Sequence, residues 1–480
     1  MTDTILFITS DWVYAAIFVV YALTILGIIG VVISENRNPV KSLAWVTVLL
    51  LLPLVGMILY VFFGRNMKST RMISKKNKRK LRRREASRHI ESSRLNFSKE
   101  SIQQIRLARS LTGSVYFPGN KIEILTSGKD KFERFKDDLR NAGKYINMQY
   151  YIFEDDKIGN EIKDILVAKV KEGVKVRVIY DHVGCFNVKK SFYRNMQKEG
   201  IDVLPFFEVT FPQFATRINW RNHRKITVID GEIGYIGGMN IADRYLTGGK
   251  FGVWRDTHLR IVGPAVVGLQ NSFAVDWNFM GQPLLEETTK SYNVLDNADA
   301  GIQLLTSGPM GQWSNISFLF FKAIANAKDC VYIQTPYFLP TESLLKALQT
   351  AALSKVDVRI MMPHRSDSTM LRLASFSYIS ECLKSGIKIY LYDAGMLHSK
   401  TIVVDDEFST TGSTNFDFRS FEHNFESNVF IYSRDINTRM KDIFINDLEH
   451  CTRVNITQWR HRPLLEKFKE SVVRLLSPIL

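Results

Sequence analysis

The chain has 480 residues, enough for two or three domains, and its 45% hydrophobic and 23% charged residues exclude an intrinsically disordered protein. The net charge of +16 is concentrated in one place. Residues 65–84 contain eleven Lys or Arg residues and no acidic residue, which leaves only +5 for the rest of the chain. The four cysteines are widely spaced and form no CxxC pair, a pattern that argues against a zinc knuckle or a disulfide framework and suits a reducing compartment.

Two long apolar runs open the chain. Residues 12–33 and 43–63 contain no charged residue, and each run is as long as a helix that crosses a bilayer core. The second run contains Pro53 and Gly56, which membrane helices tolerate. A cleaved signal peptide is the alternative for the first run, but it requires a basic start, and the first eleven residues contain no Lys or Arg. The pattern therefore predicts a transmembrane helical hairpin in residues 1–64.

A basic segment follows the second run, and residues 65–117 are predicted to form a basic linker with a juxtamembrane helix. Because Lys and Arg near a span stay in the cytoplasm, the N-terminus and the large C-terminal part are predicted inside, with residues 34–42 outside. Arg37 and Lys41 in that loop oppose this orientation. The basic segment is either a topology signal and solvated linker or a contact with anionic lipid headgroups. Nucleic-acid binding is disfavoured, because no aromatic residues are interleaved with the basic ones.

The body of the chain alternates short apolar runs with helical stretches, which predicts an α/β fold with a mixed sheet flanked by helices. The predicted elements are strands at 121–125, 145–153, 174–180 and 201–206, and helices at 132–142 and 161–172. The same order returns beyond residue 300: the tetrapeptide Leu-Thr-Ser-Gly occurs again, and the segment from Gln149 to Phe153 matches the segment from Gln334 to Phe338. A repeat this long indicates a duplicated domain, with halves 118–295 and 296–480 related by a pseudo-twofold axis.

One octapeptide pattern occurs in both halves. Each copy has a His, a Lys two residues later and an Asp five residues after the Lys, and each is followed at the same interval by a small-residue turn that ends in Asn. Two copies with matched flanking turns argue against chance. The residues are His223, Lys225, Asp230 and Asn240 in the first copy, and His398, Lys400, Asp405 and Asn415 in the second.

The residues after each Lys are mostly β-branched, so each motif is predicted to form a strand. Positions two apart on a strand share a face, which directs His and Lys to the same side and leaves the Asp at the far end. The turns that follow bring backbone close to the site, so Gly238 and Ser413 are predicted to contact the substrate. Asn240 and Asn415 are predicted to donate hydrogen bonds into the site.

Two such faces together supply two imidazoles, two ammonium groups and two amides, which suits a phosphodiester. The cations and amides would stabilise charge on the nonbridging oxygens, one imidazole could attack phosphorus, and the other could act as acid and base. The His, Lys and Asp residues of both copies are therefore the predicted catalytic residues. No metal or other cofactor is predicted, because the lysines take the electrostatic role of Mg²⁺ and the His and Asp spacings match no common zinc pattern.

A catalytic imidazole needs the correct tautomer, which a carboxylate on its other nitrogen usually fixes. Asp256 and Glu426 lie at similar distances downstream of the two motifs, and they are predicted to orient the imidazoles. The alternative is that each forms an ordinary salt bridge at the surface or at a strand end.

The doubled motif and its Gly-Gly or Gly-Ser turn resemble the paired signature of the phospholipase D superfamily. Residues 38–45, Pro53 and 64–66 resemble the membrane anchor of bacterial cardiolipin synthases, and residues 252–258 and 474–478 are similar to later parts of that family. The resemblance covers nearly the whole chain and implies two duplicated phospholipase D-like domains after the transmembrane hairpin.

This resemblance implies an enzyme of the bacterial plasma membrane that converts two phosphatidylglycerol molecules to cardiolipin and glycerol through a phosphohistidine. In such enzymes the nucleophile is usually the first-motif histidine, here His223, with His398 as acid and base, although the two near-symmetric copies leave that order open. The alternatives are a phospholipase D-type hydrolase, a transferase that uses another acceptor alcohol, and a non-catalytic membrane scaffold. The expected partners are phosphatidylglycerol and anionic membrane lipids, not nucleic acid; protein partners stay open.

The last stretch of the chain, residues 464–480, has the pattern of an amphipathic helix that also carries basic residues. The apolar positions at helical spacing are Leu465, Phe468, Val472, Leu475 and Ile479. The helix either packs on the core or lies in the membrane interface.

Overall fold

A computed structural model describes most of the chain. The described residues are 2–34, 39–60, 64, 71–86, 97–210, 219–285 and 300–477. The chain divides into two compact units, of which the first contains Met1–Met67 with Val209–Asn219 and the second contains Lys68–Glu208 with Trp220–Leu480. Apart from Val209–Asn219, both halves of the predicted repeat lie in the second unit.

The first unit contains three helices, α1 (Thr2–Ser34), α2 (Pro39–Leu51) and α3 (Pro53–Leu59). Helix α1 includes an apolar, solvent-exposed stretch from Trp12 to Gly30 that is long enough to cross a membrane. The second predicted span is divided at Leu52, because Pro53 begins a new helix and lacks the N–H that a continuous helix needs. Among the described residues only α1 meets the length of a span, and residues 61–63 of the predicted hairpin lie outside them.

The second unit is built on a mixed sheet. Its first-half strands are β1 (Phe117–Leu125), β2 (Tyr145–Tyr150), β3 (Lys175–Asp181), β4 (Asp202–Phe206), β5 (Ile226–Ile229), β6 (Ile233–Gly237), β7 (Trp254–Arg255) and β8 (His258–Val262). Its second-half strands are β9 (Ala300–Ser307), β10 (Cys330–Gln334), β11 (Phe338–Leu339), β12 (Asp357–Pro363), β13 (Lys388–Tyr392), β14 (Met396–Leu397), β15 (Thr401–Val404), β16 (Phe408–Gly412), β17 (Phe416–Asp417), β18 (Glu426–Ile431) and β19 (Cys451–Arg453).

Helices cover this sheet and connect its strands. Those before and within the first half are α4 (Lys75–Ala86), α5 (Lys99–Thr112), α6 (Gly128–Arg140), α7 (Lys157–Lys171), α8 (Lys190–Lys198) and α9 (Val266–Phe279). Those of the second half are α10 (Asn315–Ala325), α11 (Glu342–Leu353), α12 (Thr369–Ser377), α13 (Ile379–Lys384), α14 (Phe418–Glu422), α15 (Arg434–Asp447), α16 (Ile456–Arg460) and α17 (Leu464–Arg474). The predicted elements are found within a few residues of their expected ends, and α8 is an additional helix that the sequence did not indicate.

Counted outward from the centre of the sheet, the strands follow the same order in both halves. From the centre outward the first half reads β1, β8, β6, β5, β2, β3, β4, and the second half reads β9, β18, β16, β15, β10, β12, β13, with β19 at the edge. The strands β2, β3 and β4 of the first half run parallel to one another, as do β10, β12 and β13 of the second, and the equivalent central strands β1 and β9 pair antiparallel. An antiparallel pair of equivalent strands is what a twofold axis through the sheet produces. The predicted duplication and mixed sheet are therefore confirmed.

A shared core makes the two halves one unit. One buried cluster includes Ile226 and Ile236 from the first half together with Val403 and Val429 from the second. Because large apolar side chains from both halves are removed from water together, the sheet behaves as one continuous scaffold. The motif strands β5 and β15 occupy equivalent positions in it.

The C-terminal helix α17 packs on the body through its polar face. Glu470 is 5% exposed and forms an ion pair with Arg462 at 2.6 Å, and Arg474 lies 2.9 Å from Glu381. The opposite face is apolar and exposed, with Leu465 at 63% and Phe468 at 66%. The helix therefore packs on the body and also presents a free apolar face; Ile479 lies outside the described residues.

Candidate active site

The two motifs meet across the boundary between the halves. His223 and Lys225 lie just before β5, and His398 and Lys400 lie just before β15. The backbone N–H of His223 donates to the carbonyl of Phe425 at 2.9 Å, and that of His398 donates to the carbonyl of Arg255 at 2.7 Å. Each histidine is thus held by backbone from the opposite half.

The carboxylates that orient the imidazoles are exchanged between halves. Nδ1 of His223 lies 3.0 Å from Oε1 of Glu426 in the second half, and Nδ1 of His398 lies 2.7 Å from Oδ2 of Asp256 in the first half. An ionised carboxylate can only accept, so each Nδ1 carries the hydrogen and each Nε2 keeps its lone pair, which for His398 lies 3.3 Å from the Nζ atom of Lys400. The prediction that these acids contact the imidazoles agrees with the geometry, in a crossed arrangement that the sequence did not indicate.

Burial keeps both imidazoles neutral in the free protein. Desolvation, followed by the neighbouring Lys400, lowers the pKa of His398 to about 4, although Asp256 opposes the shift. Desolvation also lowers the pKa of His223, where Glu426 opposes the shift and Lys225 adds to it. A neutral imidazole with a free Nε2 is the form that can attack phosphorus.

Burial and the same two carboxylates act on the ammonium groups of both motif lysines. Both are buried, and desolvation lowers the pKa of each ammonium group, while Glu426 and Asp256 act on both in the opposite direction. The Nζ atom of Lys400 lies 3.3 Å from Nε2 of His398, and the Nζ atom of Lys225 donates to the carbonyl of His223 at 2.6 Å. Buried cations this close together favour an anionic ligand, whose charge would stabilise their protonated forms.

The two motif aspartates lie elsewhere. Asp230 accepts hydrogen bonds from the backbone N–H groups of Gly143 at 2.7 Å and Tyr145 at 2.8 Å. Asp405 accepts the equivalent bonds from Asp329 and Cys330, both at 2.9 Å. Both aspartates stand at the far ends of β5 and β15 and adopt positive φ angles of 54° and 52°. These hydrogen bonds indicate that both aspartates hold the backbone, and the catalytic role predicted for them stays a prediction.

The small residues of the two turns contact the carboxylates, and the substrate contact predicted for them stays a prediction. A Cβ atom at Gly238 would lie 2.1 Å from Oδ1 of Asp256, so only glycine leaves room for that carboxylate. The hydroxyl of Ser413 donates to the carboxylate of Glu426, and its carbonyl oxygen lies 3.0 Å from Nδ1 of His223. The turn that has glycine therefore contacts an aspartate, and the turn that has serine contacts a glutamate.

The two turn asparagines have different partners. Asn240 accepts from the N–H of Ile152 at 3.1 Å and donates to the hydroxyl of Tyr245 at 3.3 Å, and its predicted donation to a substrate stays a prediction. Tyr245 in turn lies 3.5 Å from Nδ1 of His398. Asn415 is buried, its Oδ1 atom has no hydrogen-bond partner, and its side chain bonds to Asp417. The predicted donation into the site stays a prediction for Asn415.

Comparison with known proteins places this geometry in a family. The family model for the cardiolipin synthase, phospholipase D-like domain matches residues 135–251 and 320–448, which contain both motifs. A cardiolipin synthase of Halalkalibacterium halodurans is 41% identical over 98% of this chain and 95% of its own length. The chain belongs to the cardiolipin synthase family.

Further relatives extend the comparison over the whole chain. The family model for the phospholipase D-nuclease N-terminal region matches residues 22–65. The major cardiolipin synthase of Bacillus subtilis is 39% identical over 96% of this chain and 98% of its own length. Among solved structures, a phosphatidylserine synthase of Haemophilus influenzae has a TM-score of 0.60 at 16% identity, covering 79% of this chain and all of that one, which shows a common fold.

This member of the cardiolipin synthase family also has two ion pairs near the imidazoles that the sequence did not predict, one buried and one partly buried. Arg224 binds Asp276 at 2.6 Å and donates through Nε to the carbonyl of Glu426 at 3.1 Å. Arg255 binds Asp447 at 2.6 Å. The matched glutamines Gln149 and Gln334, which the repeat did reveal, donate to Asp276 and Asp447 respectively. Their recurrence was the only sequence signal for this network.

Proposed function

We propose that the protein is a membrane-bound cardiolipin synthase that joins two phosphatidylglycerol molecules and releases glycerol. The observation that carries this proposal is the pair of buried imidazoles, each oriented through Nδ1 by a carboxylate of the opposite half and flanked by a buried lysine. Such a site offers two free Nε2 atoms and two cations to one phosphodiester, which is what a two-step transfer requires.

In the first step, Nε2 of His223 attacks the phosphorus of one phosphatidylglycerol. The new P–N bond forms as the P–O bond to the headgroup glycerol breaks, and His398 gives its Nε2 proton to the departing oxygen. The phosphodiester charge, together with Asp256, raises the proton affinity of His398 in the complex so that it can act as the acid. Lys225 and Lys400 stabilise the charge on the nonbridging oxygens.

In the second step, the headgroup hydroxyl of another phosphatidylglycerol takes the place of glycerol. His398, now neutral, removes the hydroxyl proton as the oxygen attacks phosphorus and the P–N bond to His223 breaks. Cardiolipin leaves, and both imidazoles return to their starting protonation states. A lipid alcohol competes with water here because the site is buried and the acceptor is confined to the membrane.

Incubation of the purified full chain with phosphatidylglycerol as the sole lipid tests this reaction. We expect cardiolipin and glycerol in equal amounts. Phosphatidic acid without cardiolipin would instead identify a hydrolase. Adding serine or ethanolamine as competing alcohols measures acceptor choice, and their incorporation in place of the second phosphatidylglycerol would assign the protein to another headgroup.

We also propose that residues 1–64 form a two-span hairpin in the bacterial plasma membrane, with the catalytic halves in the cytoplasm. Helix α1, the eleven basic residues after the second run and the family match over residues 22–65 support this topology. An Asn38→Cys variant should react with an impermeant maleimide on intact cells, whereas Lys76→Cys should react only after lysis. The reverse pattern would invert the topology.

A further inference from the structure

A groove of about 950 Å³ lies beside the candidate active site, in the second unit of the chain. We call it the basic groove. It runs between α4, the end of α5, α9 and the loop after β9, and no motif His or Lys lines it. Helix α4 is held over it by the buried Leu81, whose carbonyl accepts from Asn271 at 3.4 Å, and by Asn77, which donates to Asn278 at 3.3 Å.

One wall of the basic groove carries several positive charges. Lys75, Lys78 and Arg82 of α4 are three and four residues apart, so they share the helix face that lines the groove, and Arg71 lies beside them. The described lining residues include no Asp or Glu. The sequence of α4 contains eight Lys or Arg residues and a single acid, Glu85. Like charges at this spacing repel each other, so an anion in the groove would stabilise the helix.

Apolar side chains from outside α4 also line the basic groove, and we call them its apolar wall. They include Val275, Leu304, Met310 and Trp313, and Trp313 is 49% exposed although it lies in a concave site. Inorganic phosphate would use only the cationic wall, and a nucleic acid would use a track of cations with stacked aromatics. A ligand with a phosphate at one end and a hydrocarbon chain at the other uses both walls, and the volume is typical of a ligand pocket.

We propose that the basic groove binds one anionic phospholipid that does not react. Its phosphate lies against the three cations of α4, and one acyl chain lies along the apolar wall. The inner end of the groove reaches Arg224, which donates to the carbonyl of Glu426. The bound lipid is therefore adjacent to the catalytic site without contacting either imidazole.

Trp313 provides the readout. The full chain carrying His223→Ala, which prevents turnover in the proposed mechanism, is placed in phosphatidylcholine nanodiscs and titrated with phosphatidylglycerol whose acyl chains are brominated. The bromine quenches the fluorescence of nearby indoles. The difference in quenching between this protein and the same protein with Trp313→Phe reports lipid bound in the groove. We expect that signal to saturate. Because no reaction is measured, failure here is distinct from failure of the proposed synthase activity.

Two triple variants of α4 distinguish lipid binding in the groove from general electrostatic attraction between the lipid and the basic helix. Lys75→Gln/Lys78→Gln/Arg82→Gln should weaken binding by roughly 100-fold, at about fivefold for each cation. The control Lys76→Gln/Arg79→Gln/Arg83→Gln removes the same charge outside the groove lining and should change binding less than about threefold. Equal losses in the two variants would overturn the proposal. If the first triple variant does not fold, the single variant Lys78→Gln should still show the loss expected for one cation.

Competitors identify the ligand class. Unlabelled phosphatidylglycerol should restore the Trp313 fluorescence, and phosphatidylcholine should not. Inorganic phosphate or a single-stranded oligonucleotide that displaces the brominated lipid at equal concentration would show that the groove recognises phosphate or nucleic acid instead, and either result would refute the lipid assignment.

Discussion

A substrate with a good leaving group tests which imidazole attacks phosphorus. Replacing the headgroup glycerol by p-nitrophenol gives a phosphodiester whose departure needs no proton, so the acid becomes dispensable while the nucleophile does not. If His223 attacks and His398 is the acid, His398→Ala should lose roughly 10²–10⁴-fold in rate with phosphatidylglycerol but release p-nitrophenol in a stoichiometric burst. His223→Ala should give no burst.

The loss of turnover expected for a Glu426→Gln variant follows from the position of the Glu426 carboxylate. Glu426 is fully buried with Oε1 3.0 Å from Nδ1 of His223. The amide of a Glu426→Gln variant can donate to Nδ1 and place the hydrogen on Nε2, which removes the attacking lone pair. Holding an imidazole in the wrong tautomer costs on the order of 10³–10⁴-fold in turnover. We expect this loss with both substrates, whereas Asp256→Asn should lose activity mainly with phosphatidylglycerol.

The assay is a rapid quench with radiolabelled lipid. The His398→Ala variant should accumulate acid-labile, base-stable label on His223 after the burst of p-nitrophenol, because the second step lacks its base. A burst from His223→Ala together with none from His398→Ala would exchange the two roles. Label on neither histidine would refute the covalent mechanism itself.

Further expected outcomes concern the residues around the imidazoles. Asp405→Asn should lower the free energy of unfolding by about 1–3 kcal/mol, since it weakens bonds to backbone amides, while the folded variant keeps its turnover within about threefold; denaturant titration and kcat measure the two. Gly238→Ser should displace the Asp256 carboxylate and reduce kcat by about 10²-fold or more without changing the secondary structure seen by circular dichroism. The pKa of His398 falls from its ordinary value of 6.5 to about 4 on folding. The folded state is therefore stabilised relative to the unfolded state as the pH rises from 4 to 6.5, and this stabilisation is lost as the pH falls towards 4. His398→Gln should therefore flatten the decrease in Tm over that range. Phe468→Trp should be quenched by brominated lipid in nanodiscs, as an interfacial α17 requires, and an unquenched indole would place that face in water.

The sequence predicted the duplicated α/β fold and the four His and Lys residues of the site because those features recur at fixed spacing. It could not predict the crossed pairing of Asp256 with His398 and of Glu426 with His223, since each acid follows the motif of its own half and only the packing of the two halves brings it to the other. The roles of Gly238 and Ser413 were missed for the same reason, because they depend on how closely a carboxylate approaches the backbone.

The ion pairs of Arg224 and Arg255 show a different limit of sequence-based prediction. Arg224 lies beside His223 in the first motif, but the equivalent position in the second motif is Ser399, so a comparison of the two copies gives no reason to expect matched guanidinium groups. The structure supplies the second one from Arg255, which reaches Asp447 in the other half. The second apolar run likewise fitted a continuous span by length, but Pro53 starts a separate helix within it.

The exchange of carboxylates between halves has a consequence for how this chain can vary. Gly238, Asp256 and His398 form one interdependent set, and Ser413, Glu426 and His223 form the other. Each set draws members from both halves, so neither half on its own contains an intact proton-transfer unit. A chimera that joins one half of this chain to the other half of a relative would keep each turn residue with its acid, but would combine both of them with a histidine from the other parent. A substitution in a turn can therefore be compensated nearby in the chain, whereas the fit between an acid and its imidazole depends on both halves.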